Sequence, residues 1–153
     1  MSKLAVGDTA PEFTLPAQDG RPVRLSDLLK NQTVVLYFYP KDETTVCTAE
    51  ASGFRDAYEV FSDAGAEVVG VSDDSVASHR SFAAHHRLPF MLLSDQGGEV
   101  RKRYGVGALL GLINGRVTFV IDRSGVVRHA YSSRLEATGH VERALETIRG
   151  LGC

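Results

Sequence analysis

Cys47 lies in the run Tyr39-Pro40-Lys41-Asp42-Glu43-Thr44-Thr45-Val46-Cys47-Thr48-Ala49-Glu50, where an apolar stretch stops at a proline and a helical periodicity begins. A thiol in the first turn of a helix meets unpaired backbone N–H groups and the positive end of the helix dipole. Both favour the thiolate, which is the nucleophilic and redox-active form. Thr44, one turn earlier, adds a hydroxyl that can donate and accept a hydrogen bond. The pattern suits a redox or nucleophilic thiol, set against the plainer reading of a cysteine as a small core hydrophobe. The second cysteine, Cys153, is far away in sequence, and two cysteines do not make a disulfide scaffold.

Residues 33–39, Thr-Val-Val-Leu-Tyr-Phe-Tyr, are continuously apolar and β-branched or aromatic, which predicts a central strand covered on both faces. Pro40 ends it. Ala51, Phe54, Ala57/Tyr58 and Phe61 recur every three to four residues and predict a helix over about 47–62. A buried strand at 67–72, a helix at 75–87, a short strand at 90–93 and a helix near 98–104 follow. Residues 117–121 and 126–131 flank Asp122-Arg123-Ser124-Gly125 and read as a hairpin. Ala137, Val141, Ala144/Leu145, Ile148 and Leu151 mark a closing amphipathic helix. Before all of these, turn signals at Pro16 and Asp19-Gly20 predict a small N-terminal β-hairpin, with one helical turn at 26–29.

Strands alternating with helices call for a parallel core sheet covered on both faces, and the terminal hairpin makes that sheet mixed. The expected architecture is therefore α/β and thioredoxin-like: a mixed central sheet flanked by helices, with an N-terminal hairpin extension. With no repeat or linker, residues 1–153 read as a single domain.

Composition narrows the function. A net charge of −2 with no basic stripe argues against a nucleic-acid partner, and apolar runs no longer than 34–39 argue against a membrane span. No apolar leader region follows Met1, so the expected compartment is the reducing cytoplasm. His79, His85 and His86 lack a completing cysteine or carboxylate pattern, and neighbouring helical positions diverge by about 100°. They read as surface residues, with no metal or other cofactor expected. The Gly-rich 105–115 segment lacks the Gly-Lys-Ser/Thr ending of a phosphate loop and reads as a packed loop.

Pro40, Thr44 and Cys47 match the peroxiredoxin signature P-x-x-x-T-x-x-C. The surroundings resemble the PrxQ, or bacterioferritin comigratory protein, branch of the AhpC/TSA family. Matching stretches include 6–13, Leu36-Tyr37-Phe38-Tyr39-Pro40-Lys41-Asp42, 47–50, Gly53-Phe54-Arg55-Asp56, Leu92-Leu93-Ser94-Asp95 and 115–122. The resemblance implies a thiol-dependent peroxidase that reduces hydrogen peroxide and organic hydroperoxides through a Cys47 sulfenic acid. It implies that Thr44 holds the peroxide, that Pro40 shields the pocket from water, and that Arg116 bonds both thiolate and peroxide. Glu50 matches a polar position that orients the arginine, although a first-turn Glu is also ordinary dipole complementation.

Lowering a thiol's pKa from about 8.5 to about 6 raises its thiolate fraction at pH 7 only about 30-fold, or about 2 kcal/mol. A low-pKa thiolate is also a poorer nucleophile. Most of the acceleration should therefore come from Thr44, Arg116 and backbone N–H groups that stabilise charge as the O–O bond lengthens.

The chain departs from the family at the resolving positions. Many relatives carry a second cysteine five residues after the first; here Ser52 stands there, and Ser81–His86 offers none. Ser52 is either the natural residue or a Cys→Ser replacement. Thr45-Val46 replaces a usual Pro-Gly and is stiffer. The expected mechanism is of the one-cysteine type, with thioredoxin, glutaredoxin or glutathione as outside reductant and the chain a monomer. Cys153 reads as a bystander, an intermolecular resolver or, only if the last helix comes away, an intramolecular one. The rival classes are a cysteine hydrolase, which would need a histidine oriented beside the thiol, and a thioredoxin-like redox or partner-binding module without peroxidase turnover.

Overall fold

The computed structural model describes residues 4–106, 108–109, 113–114, 116–132 and 137–150. The chain opens with a two-stranded ribbon, β1 (Thr14–Pro16) against β2 (Pro22–Arg24), followed by α1 (Leu25–Leu29). Then come β3 (Thr33–Phe38), α2 (Thr45–Asp56), α3 (Tyr58–Asp63), β4 (Ala66–Ser72), α4 (Val76–His86), β5 (Met91–Ser94) and α5 (Glu99–Arg103). Two short strands, β6 (Ala108–Leu109) and β7 (Ile113–Asn114), pair with each other. They precede β8 (Val117–Ile121), β9 (Val127–Ser132) and α6 (Ala137–Gly150).

The central sheet has the order β5-β4-β3-β8-β9. β3 is parallel to β4, and β4 to β5; β8 is antiparallel to both β3 and β9. This is the mixed thioredoxin-like sheet expected from the sequence, with the N-terminal hairpin beside it. Alternation along β3 sends its side chains to two cores. Val34, Leu36 and Phe38 pack with Phe13, Leu25, Val100 and Tyr104. Val35, Tyr37 and Tyr39 pack with Cys47, Phe54, Phe61, Phe82 and Ile148. The thiol thus lies in the aromatic layer between the sheet and helices α2, α3, α4 and α6.

Two local features explain how the sheet accommodates this layer. At Gly70 on β4, an added Cβ would lie 2.9 Å from both Leu92 Cδ2 and Tyr37 Cζ, so only a glycine leaves room for the Tyr37 ring. At the β8–β9 turn, the Asp122 carboxylate accepts hydrogen bonds from the Ser124 and Val126 N–H groups, and Gly125 has φ 83°. The hairpin read from Asp122-Arg123-Ser124-Gly125 is as expected.

The helix predicted across 47–62 is instead two helices that meet at Ala57, whose backbone has φ −96° and ψ 2°. Ala57 N–H still bonds Gly53 O, and Phe61 N–H bonds Ala57 O. The apolar period therefore runs through the break unchanged, and Phe54 and Phe61 share one core with rings 5.8 Å apart. Part of the Gly-rich segment forms β6 and β7; the rest of it, at residues 107, 110–112 and 115, lies outside the described residues, as does Cys153.

Candidate active site

Thr44 is the N-cap of α2, with extended backbone (φ −91°, ψ 158°), so Cys47 is the third residue of the helix. The first intrahelical bond at this end is Thr48 N–H to Thr44 O, at 2.8 Å. The N–H groups of Thr45, Val46 and Cys47 precede it and belong to the unpaired first turn, where the helix dipole is positive. Cys47 itself is buried, with a free thiol. The Thr44 hydroxyl does not cap the helix; it donates to Lys41 O at 2.8 Å. Its oxygen keeps acceptor capacity one turn from the sulfur.

Arg116 reaches this sulfur from the other side of the chain. Phe38 on β3 faces Val117 on β8, so continuing the antiparallel register one step sets Arg116 beside Tyr39 at the end of β3. The buried guanidinium donates through Nη1 to Glu50 Oε1 at 2.7 Å, and Cys47 lies near enough to act on its charge. Burial works against its charge, but Glu50 and Cys47 more than offset this and hold its pKa above the ordinary arginine value. Glu50 lies one turn after Cys47 on the same helix face. Burial pushes its carboxyl up to about 7 even though Arg116 pulls the other way. Its second oxygen lies 3.5 Å from Nδ1 of the buried His140 on α6, and that nitrogen is 2.7 Å from the Thr118 hydroxyl.

This raised pKa has a stability consequence of definite sign. In the folded protein Glu50 keeps its proton up to about 7, whereas an unfolded glutamate loses it near its ordinary value of 4.5. Folded protein therefore binds the extra proton between those values, and stability falls as pH rises from about 4.5 to about 7. The span corresponds to about 3 kcal/mol at most. Glu50→Gln should flatten this part of the profile, which urea midpoints at pH 5 and pH 8 for both proteins will show.

The loop between β3 and α2 is held by a buried polar cluster. Asp42 is buried; it accepts from the Tyr39 hydroxyl at 2.5 Å and from the Ser78 hydroxyl at 2.8 Å. His79 on α4 is fully buried, with Nδ1 2.7 Å from Asp42 Oδ2 and Nε2 2.9 Å from Leu93 O. Both ring nitrogens thus face oxygen atoms, and the imidazole is held from both sides. Asp42 N–H donates to Asp74 Oδ2 at 2.8 Å, completing the tie to the β4–α4 connection. Arg101, also buried, donates to Tyr39 O at 2.9 Å, and its own N–H is held by Asp95 Oδ2 at 2.9 Å. The strand end that precedes Pro40 is thereby fixed from two sides.

The structure brings Cys47, Arg116 and Glu50 together and sets Thr44 at the head of the same helix. Pro40 is half-buried just past β3. Ser52 lies within the unbroken α2, five residues from Cys47, a rise of about 7.5 Å along the axis. The sequence reading of His79 as a surface residue is corrected: it is an interior anchor of the active-site loop. The weak apolar stripe of α4 gave no hint that this helix buries a histidine. The only signal for its partner was Asp42 inside the matched Tyr39-Pro40-Lys41-Asp42 stretch. The Glu50–His140–Thr118 contact had no sequence signal at all, because it depends on how α6 crosses α2. A cysteine hydrolase is also disfavoured by the site, since the cationic group beside the thiol is Arg116.

A thioredoxin-like sheet that presents a buried thiol at the head of a helix, beside a buried arginine, defines a thiol-dependent redox enzyme. Residues 6–130 match the AhpC/TSA family. A chloroplastic peroxiredoxin Q of Sedum lineare is 49% identical over 151 residues, covering 98% of this chain and 81% of that one. Peroxidoxin BcpB of Mycobacterium tuberculosis superposes with a TM-score of 0.92 at 41% identity, over 100% of both chains. A Xanthomonas campestris bacterioferritin comigratory protein, described for its alkyl peroxide reduction activity, superposes with a TM-score of 0.83 at 30% identity, over 91% of each chain. The chain belongs to the AhpC/TSA family, in its peroxiredoxin Q branch, and is a thiol peroxidase. Its oxidising substrate is a hydroperoxide and its reductant a thiol, as the family requires.

The cytoplasmic compartment expected from the sequence is overturned by these relatives, since the Sedum lineare protein is chloroplastic. The physical reason is plain. A low cysteine count separates reducing from oxidising compartments, but it does not distinguish one reducing compartment from another.

Proposed function

We propose that Cys47 is the peroxidatic nucleophile of a one-cysteine thiol peroxidase. The Cys47 thiolate attacks the terminal oxygen of a hydroperoxide; the S–O bond forms as the O–O bond breaks. The sulfur is oxidised by two electrons to sulfenic acid, and the leaving oxygen takes a proton to become water or an alcohol. One outside thiol then condenses with the sulfenic acid, releasing water, and a second thiol reduces the mixed disulfide. The observation that carries this reading is the buried guanidinium held by Glu50 beside the buried Cys47 at the head of α2. It fixes positive charge where negative charge moves from sulfur to the departing oxygen.

Thr44 holds the peroxide through its hydroxyl, and Pro40 keeps water from the sulfur. Glu50 positions Arg116. Ser52 cannot form a disulfide, so regeneration falls to an outside dithiol, with thioredoxin preferred to glutaredoxin or glutathione. Organic hydroperoxides join hydrogen peroxide as substrates, in line with the alkyl peroxide reduction activity ascribed to the Xanthomonas campestris relative.

The test separates the two cysteines. Cys153→Ser should keep thioredoxin-driven turnover within about two-fold of the parent, and Cys47→Ser should abolish it. A Cys153→Ser protein that reduces one equivalent of peroxide and then stops would contradict the one-cysteine mechanism.

A further inference from the structure

The geometry points to a site for a single divalent transition-metal ion of the Zn²⁺ type formed by Glu43, His85 and His86. The site is separate from the thiol but borders it, because Glu43 immediately precedes the helix cap Thr44. His85 Nδ1 lies 3.0 Å from Glu43 Oε2 and 3.3 Å from Oε1, and His86 Nε2 lies 2.9 Å from Oε1. The two imidazole nitrogens thus converge on one carboxylate although the residues are neighbours in the helix; their ring centroids are 4.2 Å apart. One donor atom from each of the three residues lies within 4.8 Å of the others. A tetrahedral ion with bonds of about 2.0–2.2 Å needs its ligands about 3.4 Å apart. Rotation of the exposed His85 side chain supplies the remaining closure.

Two further features favour a built site over a chance contact. The His86 ring is fixed edge-on against Phe82, with centroids 4.9 Å apart, and its carbonyl is held by Arg55 Nη1 at 2.9 Å. Glu43 itself has left-handed backbone (φ 62°), as does Arg87 (φ 52°), the C-cap that follows His86. Such conformations persist where surroundings hold them. Two borderline imidazoles and one hard carboxylate form a donor set that suits Zn²⁺, Co²⁺ or Ni²⁺ and leaves a fourth position for water. On binding, each ring keeps its proton on the nitrogen turned away from the ion. The bound ion would join the active-site loop to the end of α4 across 42 residues of sequence.

Isothermal titration of the reduced chain with Zn²⁺, and the visible spectrum with Co²⁺, test this directly. One ion should bind per chain, with weak Co²⁺ ligand-field bands and no sulfur-to-metal charge transfer. Glu43→Gln, His85→Gln and His86→Gln should each weaken Zn²⁺ at least ten-fold with unchanged far-ultraviolet circular dichroism. A Cys47→Ser, Cys153→Ser double variant should bind as the parent does. No binding, binding that survives all three replacements, or binding lost with the cysteines would overturn the assignment.

Discussion

Replacing Arg116 with alanine is expected to lower kcat/KM for hydrogen peroxide by about 10²–10³-fold, the usual cost of removing one preorganised donor from a site of developing charge. The guanidinium is buried against Glu50 and close to Cys47, so little solvent screens it. The loss should exceed what a changed thiolate fraction explains, because thiol activation alone supplies only about 2 kcal/mol. Rates across pH for both proteins, compared at equal thiolate fraction, decide the point; a deficit that vanishes in that comparison would contradict it. Removing the arginine also leaves Glu50 buried without its partner, which threatens the fold. The Glu50→Gln, Arg116→Ala double variant removes that orphaned charge, and Arg116→Lys keeps the charge without the fork. Both should remain folded and slow.

The second large effect is on stability. His79→Ala leaves the Asp42 carboxylate buried with only the Tyr39 and Ser78 hydroxyls and should cost about 3–5 kcal/mol. For a chain of this size that is a fall in Tm of roughly 10 °C or more, readable by circular dichroism. An Asp42→Ala, His79→Ala double variant should lose less than the two single changes added together, since neither partner is then left unpaired. Additive losses, or a single-variant loss below about 1 kcal/mol, would show that the pair does not anchor the loop.

The parts of the molecule that were legible in the sequence are those dictated by local chemistry. The run from Thr33 to Phe38 could only be a central strand, and Asp122 and Gly125 could only close a hairpin. Cys47 and Thr44 could be placed at a helix head because a proline ends the strand before them. Arg116 was reached through family resemblance alone. Its place beside Cys47 follows from the register that sets Phe38 opposite Val117, and no local pattern encodes a register. His79 was misread because a polar residue within a weakly amphipathic helix gives no sign of facing a buried carboxylate. The break at Ala57 was invisible because its backbone bonds keep the helical period. Buried polar partners and relative strand positions are tertiary facts, and these are what composition and periodicity omit.

The central claim is that Cys47 forms a sulfenic acid without an internal partner. Intact mass should be measured after one equivalent of hydrogen peroxide is added to reduced protein in the presence of dimedone. The account predicts one dimedone adduct per chain, mapped to Cys47. A Cys47–Cys153 disulfide, within or between chains, or an unmodified Cys47, would contradict it.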